Sequence, residues 1–145
     1  MKALIQRVST ASVSVDERCV GKIGFGLLLF LGVERDDNDR SLKKLADKVL
    51  AYRLFEDEQG KMNKSLLEVK GELLVVSQFT LVANTQKGLR PSFSEGADPE
   101  LGERLYSDFV SYLRESPVSI STGCYAADMK VSLVNDGPVT FMLEV

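Results

Sequence analysis

Apolar positions recur along this chain in two periods, and the switches between them mark out its elements. Lys2 to Val8 alternates enough for a strand, and Ala11 to Val15 (A-S-V-S-V) is a period-two strand with Ala11, Val13 and Val15 on one face. Asp16-Glu17 supplies a turn into Arg18 to Ile23, which makes a hairpin. Leu27 to Val33 (L-L-L-F-L-G-V) and Leu73 to Val76 are apolar at consecutive positions, the pattern of strands covered on both faces and therefore central in a sheet. Val118 to Ser121 and Met129 to Val134 read as strands. Val139 to Val145 alternates with Val139, Phe141, Leu143 and Val145 together, and Asn135 to Pro138 (N-D-G-P) is the loop between the last two strands.

Helical spacing appears twice. Leu42, Leu45, Ala46, Val49 and Leu50 form one inward stripe, with Asp39 or Ser41 available as the N-cap. Leu101, Leu105, Phe109, Val110 and Leu113 form the other, begun by Asp98 as N-cap and Pro99 at the first helical position, and stopped by Ser116-Pro117. Between them, Tyr52 to Phe55 reads as a short strand closed by the turn D-E-Q-G, and Ser65 to Val69 as one helical turn. No repeat or linker interrupts the pattern. The expectation is a single α/β domain over 1–145, with mixed β-sheets and two main helices packed on one side.

Composition excludes several chemistries. The 145 residues are 44% hydrophobic, enough for one domain to build a core without staples. The chain contains no histidine, which removes Ser-His-Asp and Cys-His machinery, imidazole acid-base catalysis and histidine metal sites together. Cys19 and Cys124 are too few for a disulfide framework or a zinc set; we expect Cys19 packed or at a strand surface and Cys124 packed beside the site segment, neither reactive. Glu34 to Arg40 lacks the spacing of a calcium loop, and Gly24-Phe25-Gly26 precedes its strand instead of following it, unlike a dinucleotide loop. The opening M-K-A-L-I-Q-R-V carries Arg7 where a signal peptide is apolar, and no run approaches transmembrane length, so a soluble, cytoplasmic protein is expected. A net charge of −3 argues against broad non-specific nucleic-acid binding and leaves room for a local basic patch.

The candidate chemistry lies at the end of the Leu73–Val76 strand. Ser77, Gln78 and Thr80 place two hydroxyls and an amide there, just before a long Gly/Pro-containing loop from Ala83 to Pro99 that carries Lys87 and Arg90. The alternative is a buried strand whose end is polar because it reaches solvent.

Three motifs turn this pattern into a resemblance. V-V-S-Q-F-T-L near mid-chain, R-P-S-F at Arg90 to Phe93, and A-A-D-M-K-V-S-L-V-N-D-G-P-V-T-F from Ala126 to Phe141, in a chain opening A-L-I-Q-R-V, closely resemble the D-aminoacyl-tRNA deacylases, also called D-tyrosyl-tRNA deacylases. The resemblance spans nearly the whole chain. It implies a homodimer that hydrolyses the ester of D-aminoacyl-tRNA, and of glycine mischarged on alanine tRNA, without cofactor or metal. The family's Ser-Gln-Phe-Thr motif falls on Ser77, Gln78, Phe79 and Thr80, and its Gly-cisPro motif on Gly137 and Pro138, a loop that in the family enters the partner's pocket and excludes L-amino acids. Tyr125 stands where the family commonly has phenylalanine. With no histidine to act as base, we expect Phe79 and Thr80 to contribute main-chain N–H groups and Gln78 to hold the substrate, the 2′-hydroxyl of the terminal adenosine assisting water. Arg7 is expected to hold the Gly137-Pro138 loop, or else to form a strand-surface salt bridge. Lys87 and Arg90 are the candidates for tRNA contact, with Lys43, Lys44 and Lys48 as the other basic face. Two other activities fit the same residues: a non-catalytic RNA-binding dimer, and a Thr-nucleophile hydrolase of small esters.

Overall fold

The two segments of consecutive apolar residues become the middle of one sheet. The structure, a computed structural model, describes residues 1–86 and 88–145. Its strands are β1 (Lys2–Val15), β2 (Arg18–Ile23), β3 (Gly26–Gly32), β4 (Phe55–Glu56), β5 (Met62–Lys64), β6 (Glu72–Ser77), β7 (Ile120–Thr122) and β8 (Lys130–Glu144). Its helices are α1 (Asp39–Ala51), the single turn α2 (Leu66–Val69) and α3 (Pro99–Arg114), with a 3₁₀ turn at Phe79–Val82. The main sheet has the order β2-β1-β3-β6-β7, with β8 on the free side of β1; β4 and β5 form a separate small ribbon.

The predicted strands Lys2 to Val8 and Ala11 to Val15 are one. β1 runs through the exposed Ser9 and Thr10 and changes neighbours there, pairing with β3 from Lys2 to Val8 and with β2 from Ala11 to Val15. Further on, β3 and β6 pair in parallel, as do β6 and β7. The Ser121 hydroxyl donates to the Lys22 carbonyl at 3.1 Å, so β7 leans on β2 and the sheet nearly closes. This curvature explains the unbroken apolar runs. Leu27, Leu29, Leu31, Leu73 and Val75 point outward to α1 and α3, whereas Leu28, Leu74 and Val76 point inward to Val8, Ala11, Val13 and Ile23. Each such leucine contributes about 1.5–3 kcal/mol by leaving water, and both faces of β3 and β6 contribute. That is why the strands that reach the site form the most buried part of the fold.

Helix starts follow the sequence with one correction. Asp39 already lies within α1, and the cap is Asn38, whose Oδ1 accepts from the N–H groups of Arg40 (3.0 Å) and Ser41 (3.3 Å). Ser41 completes the box by accepting from the Asn38 N–H at 3.0 Å. Asp98 caps α3 as expected, accepting from the Leu101 N–H at 2.9 Å, with Pro99 in first position. The short strand expected at Tyr52 to Phe55 falls instead at Phe55–Glu56, and that at Val118 to Ser121 at Ile120–Thr122.

A larger correction concerns the chain's last third. Instead of two strands joined by a turn, β8 continues along β1 on both sides of N-D-G-P, from Ser14↔Lys130 to Val8↔Asn135 and again from Gln6↔Thr140 to Lys2↔Glu144. Between the Val8–Asn135 and Gln6–Thr140 pairs β8 advances five residues while β1 advances two, so the surplus is pushed out of the sheet as a bulge. A common partner strand decides this. Period-two alternation within each half cannot show that both halves pair with β1.

Candidate active site

Leu73 to Val76 are all buried, and the first polar groups after them meet an open space. The main chain still pairs at Gln78, whose N–H donates to the Leu31 carbonyl at 2.8 Å. The strand then tightens into the 3₁₀ turn, which rests on Gln78: the Leu81 N–H donates to the Gln78 carbonyl at 3.2 Å. Among the described residues, the N–H groups of Phe79 and Thr80 have no acceptor, as expected where a turn begins and nothing precedes it in register. The Gln78 side-chain amide donates through Nε2 to Thr80 Oγ1 at 2.6 Å, so the hydrogen-bond partner of this hydroxyl among the described residues is an amide, which is no base.

Ser77, Gln78 and Phe79 line a cavity of about 480 Å³. Its other walls are Val76 and Val131 from the inner core, Ala97 and Pro99 at the start of α3, and the run Tyr125 to Met129. This size lies within the range of small-molecule sites, and the lining combines apolar walls with a few polar groups at one end. Tyr125 is set by its neighbours: its ring lies 5.6 Å from that of Tyr106, and its hydroxyl donates to the Pro99 carbonyl at 3.5 Å. Gly102 of α3 makes room for it, since a Cβ there would come within 2.7 Å of the Tyr125 hydroxyl. Burial raises the Tyr106 phenol to about 12, and burial with the nearby Glu103 and Asp98 raises that of Tyr125, so both rings remain neutral. Asp128 at the rim is paired with Lys130 Nζ at 2.8 Å. Among the described residues no group of three or more Cys, Asp or Glu is placed to hold a metal.

The structure brings only some of the expected residues to this cavity. Thr80 lies one residue beyond its lining, on the 3₁₀ turn. The Phe79 ring is exposed and tilts against Phe93 at 5.0 Å, so the S-Q-F-T and R-P-S-F motifs meet in space. Arg90 is exposed on the loop whose base is pinned by paired main-chain bonds between Asn84 and Ser92 (2.8 and 3.0 Å); Lys87 lies outside the described residues. On α1, Lys48 Nζ donates to the Glu144 carbonyl at 3.1 Å and Lys43 sits 6.0 Å over the Tyr112 ring, which leaves Lys44 without a comparable contact among the described residues.

Gly137 and Pro138 do not line the cavity of their own chain. They sit exposed on the β8 bulge, joined by a cis peptide bond. Arg7 is no surface ion pair: the residue is 7% exposed, Nε donates to the Asp136 carbonyl and Nη1 to the Leu54 carbonyl, both at 2.9 Å. Residue patterns did not reveal the wall Tyr125–Met129; the left-handed φ of +58° at Ala126, which turns this segment toward the cavity, has no signature in an A-A pair. Cys124, expected to pack, is exposed beside it, as is Cys19 on β2.

Residues 4–144 match the family described as D-Tyr-tRNA(Tyr) deacylase. The chain is 62% identical to the D-aminoacyl-tRNA deacylase of Shewanella frigidimarina and 61% identical to that of Histophilus somni, over 100% of both chains in each case. Among solved structures it is similar to a c-Myc DNA Unwinding Element Binding Protein, with 40% identity and a TM-score of 0.95 over 100% of this chain and 99% of that one. A probable eukaryotic D-amino acid tRNA deacylase shares the fold, with a TM-score of 0.84 at 17% identity over 99% of this chain and 98% of that one.

Proposed function

This chain belongs to the D-Tyr-tRNA(Tyr) deacylase family and is a D-aminoacyl-tRNA deacylase, and on that premise we propose how its cavity edits. The observation that carries the proposal is a pocket at the end of β6 lined by Ser77, Gln78 and Phe79, next to a Thr80 hydroxyl whose hydrogen-bond partner is the Gln78 amide. An aminoacyl ester is already activated, so positioning and oxyanion stabilisation can supply the catalysis. The Phe79 and Thr80 N–H groups face the developing oxyanion, and Gln78 with Ser77 orients the aminoacyl group. The apolar walls at Tyr125 and Met129 take the terminal adenine, and the 2′-hydroxyl of its ribose assists the attacking water. No cofactor enters this scheme.

Selection works by exclusion. The Gly137–Pro138 bulge projects from its own sheet and enters the pocket of a second copy in a homodimer, occupying the volume an L side chain would need. A D side chain points away from it, and glycine presents nothing to exclude, so glycine mischarged on alanine tRNA is also a substrate. The reaction belongs to the cytoplasm, where aminoacyl-tRNA is made. The test compares release of amino acid from matched D-, L- and glycyl-tRNA by purified protein, across concentrations that span dimer dissociation. We expect turnover of the D and glycyl esters only, following the dimer. No turnover at micromolar protein would favour an RNA-binding dimer, and cleavage of simple activated esters without RNA would favour a threonine nucleophile.

A further inference from the structure

Where the ladder between β1 and β8 is interrupted, one side chain takes over its hydrogen bonds. Asn135 Nδ2 donates to the carbonyls of Arg7 and Val139, both at 2.9 Å, and Asn135 Oδ1 accepts from the Val139 N–H at 3.1 Å. The amide thus binds both main-chain groups of the residue just past Pro138 and ties them to β1. Val139 is itself buried in the core that faces the helices, so the closing end of the bulge is fixed from two directions. The other end is held through the same β1 residue, since the Arg7 guanidinium donates to the Asp136 carbonyl at 2.9 Å. Between these ties the chain doubles back so tightly that a Cβ on Gly137 would lie 2.1 Å from the Val139 nitrogen.

We propose that Asn135 is a specificity-determining positioning residue, a side-chain clamp that sets how far the Gly137–Pro138 bulge projects. The proposal rests on the exclusion reading above. A filter that works by occupied volume is only as sharp as its position is fixed, and a shift of a fraction of an ångström admits a methyl group. Asn135 touches no reacting atom and acts through the bulge alone. Aspartate would keep the acceptor for the Val139 N–H while losing both donors and setting a carboxylate against two carbonyl oxygens; alanine would lose all three bonds.

The test combines amide hydrogen exchange with the ratio of L- to D-aminoacyl-tRNA hydrolysis in wild type, Asn135→Ala and Asn135→Asp. In the wild type the Val139 amide should be protected like its β8 neighbours. In Asn135→Ala its exchange should rise about tenfold, the scale of one lost hydrogen bond, while Leu29 and Val75 stay unchanged. The L/D ratio should rise several-fold in both variants, whereas loss of stability alone would lower both rates in parallel. A Val139 amide that exchanges freely in the wild type, or an unchanged L/D ratio in either folded variant, overturns the clamp. Should Asn135→Ala fail to fold, Asn135→Asp carries the ratio. If wild type released no amino acid from D-aminoacyl-tRNA, the functional reading would fall while the exchange data still decided whether the clamp exists.

Discussion

Arg7 Nε donates to the main-chain carbonyl of Asp136 at 2.9 Å, which ties a buried cation on the first strand to the bulge of the last, 129 positions away. The second strong contact, from Nη1 to the Leu54 carbonyl, joins the same guanidinium to the segment leading into β4. Its carboxylate neighbours matter less, because Glu56 and Asp136 lie at 3.7 and 3.4 Å and are largely exposed.

Arg7→Ala is therefore expected to cost about 2–4 kcal/mol, from two carbonyls left without their charged donor in a buried place. Arg7→Lys should recover little of it, since one ammonium cannot reproduce the guanidinium fork. Urea midpoints measure both. Equal stability of Arg7→Lys and wild type would show that charge alone suffices.

Thr80→Ala should keep substantial activity, within about tenfold of wild type, because its hydroxyl has an amide and not a base beside it. Single-turnover rates with D-aminoacyl-tRNA decide the point. A threonyl ester trapped on the protein would reverse it.

Lys87 and Arg90 are the cations the sequence offers between Ala83 and Pro99 on a chain of net charge −3, so neutralising both should weaken tRNA binding equally for D and L esters. The slope of log affinity against log salt should flatten by about one to two charges' worth. An unchanged slope would move the contact to the lysines of α1.

Tyr106 donates to the Val75 carbonyl at 3.0 Å from a buried position. Burial holds its phenol at about 12 against an ordinary 10.0, so the folded state binds this proton more tightly than the unfolded chain. The resulting stability, on the order of 2–3 kcal/mol, is present below pH 10 and lost as pH rises toward 12. Tyr106→Phe should flatten this alkaline loss, leaving a remainder from Tyr112 and Tyr125, which are also raised. Stability measured against pH from 9 to 12 would detect it, and an identical slope in the variant would place the proton elsewhere.

The sequence by itself determined what depends on neighbours a few residues apart. Period 3.6 placed both helices, Asp98-Pro99 announced the start of α3, and consecutive apolar residues marked β3 and β6 as strands buried on two faces. The end of β6 was legible for the same reason: a run of buried residues that gives way to Ser77 and Gln78 must open onto something polar. Tertiary structure alone decided what depends on which strand lies alongside. N-D-G-P reads as a turn until β1 is seen to pair with β8 on both sides of it, and only then does it become a bulge. Arg7 reads equally as a holder of the Gly137-Pro138 loop or as a strand-surface salt bridge until the Leu54 and Asp136 carbonyls are seen to accept from it in a buried place, and Asn135 as a turn residue until its amide is found replacing ladder bonds. Tyr125 to Met129 come to the cavity with the left-handed turn at Ala126, and the Tyr125 hydroxyl settles against Gly102 of α3. Local patterns report solvent against core along one segment, and they carry no record of a partner more than a hundred residues away.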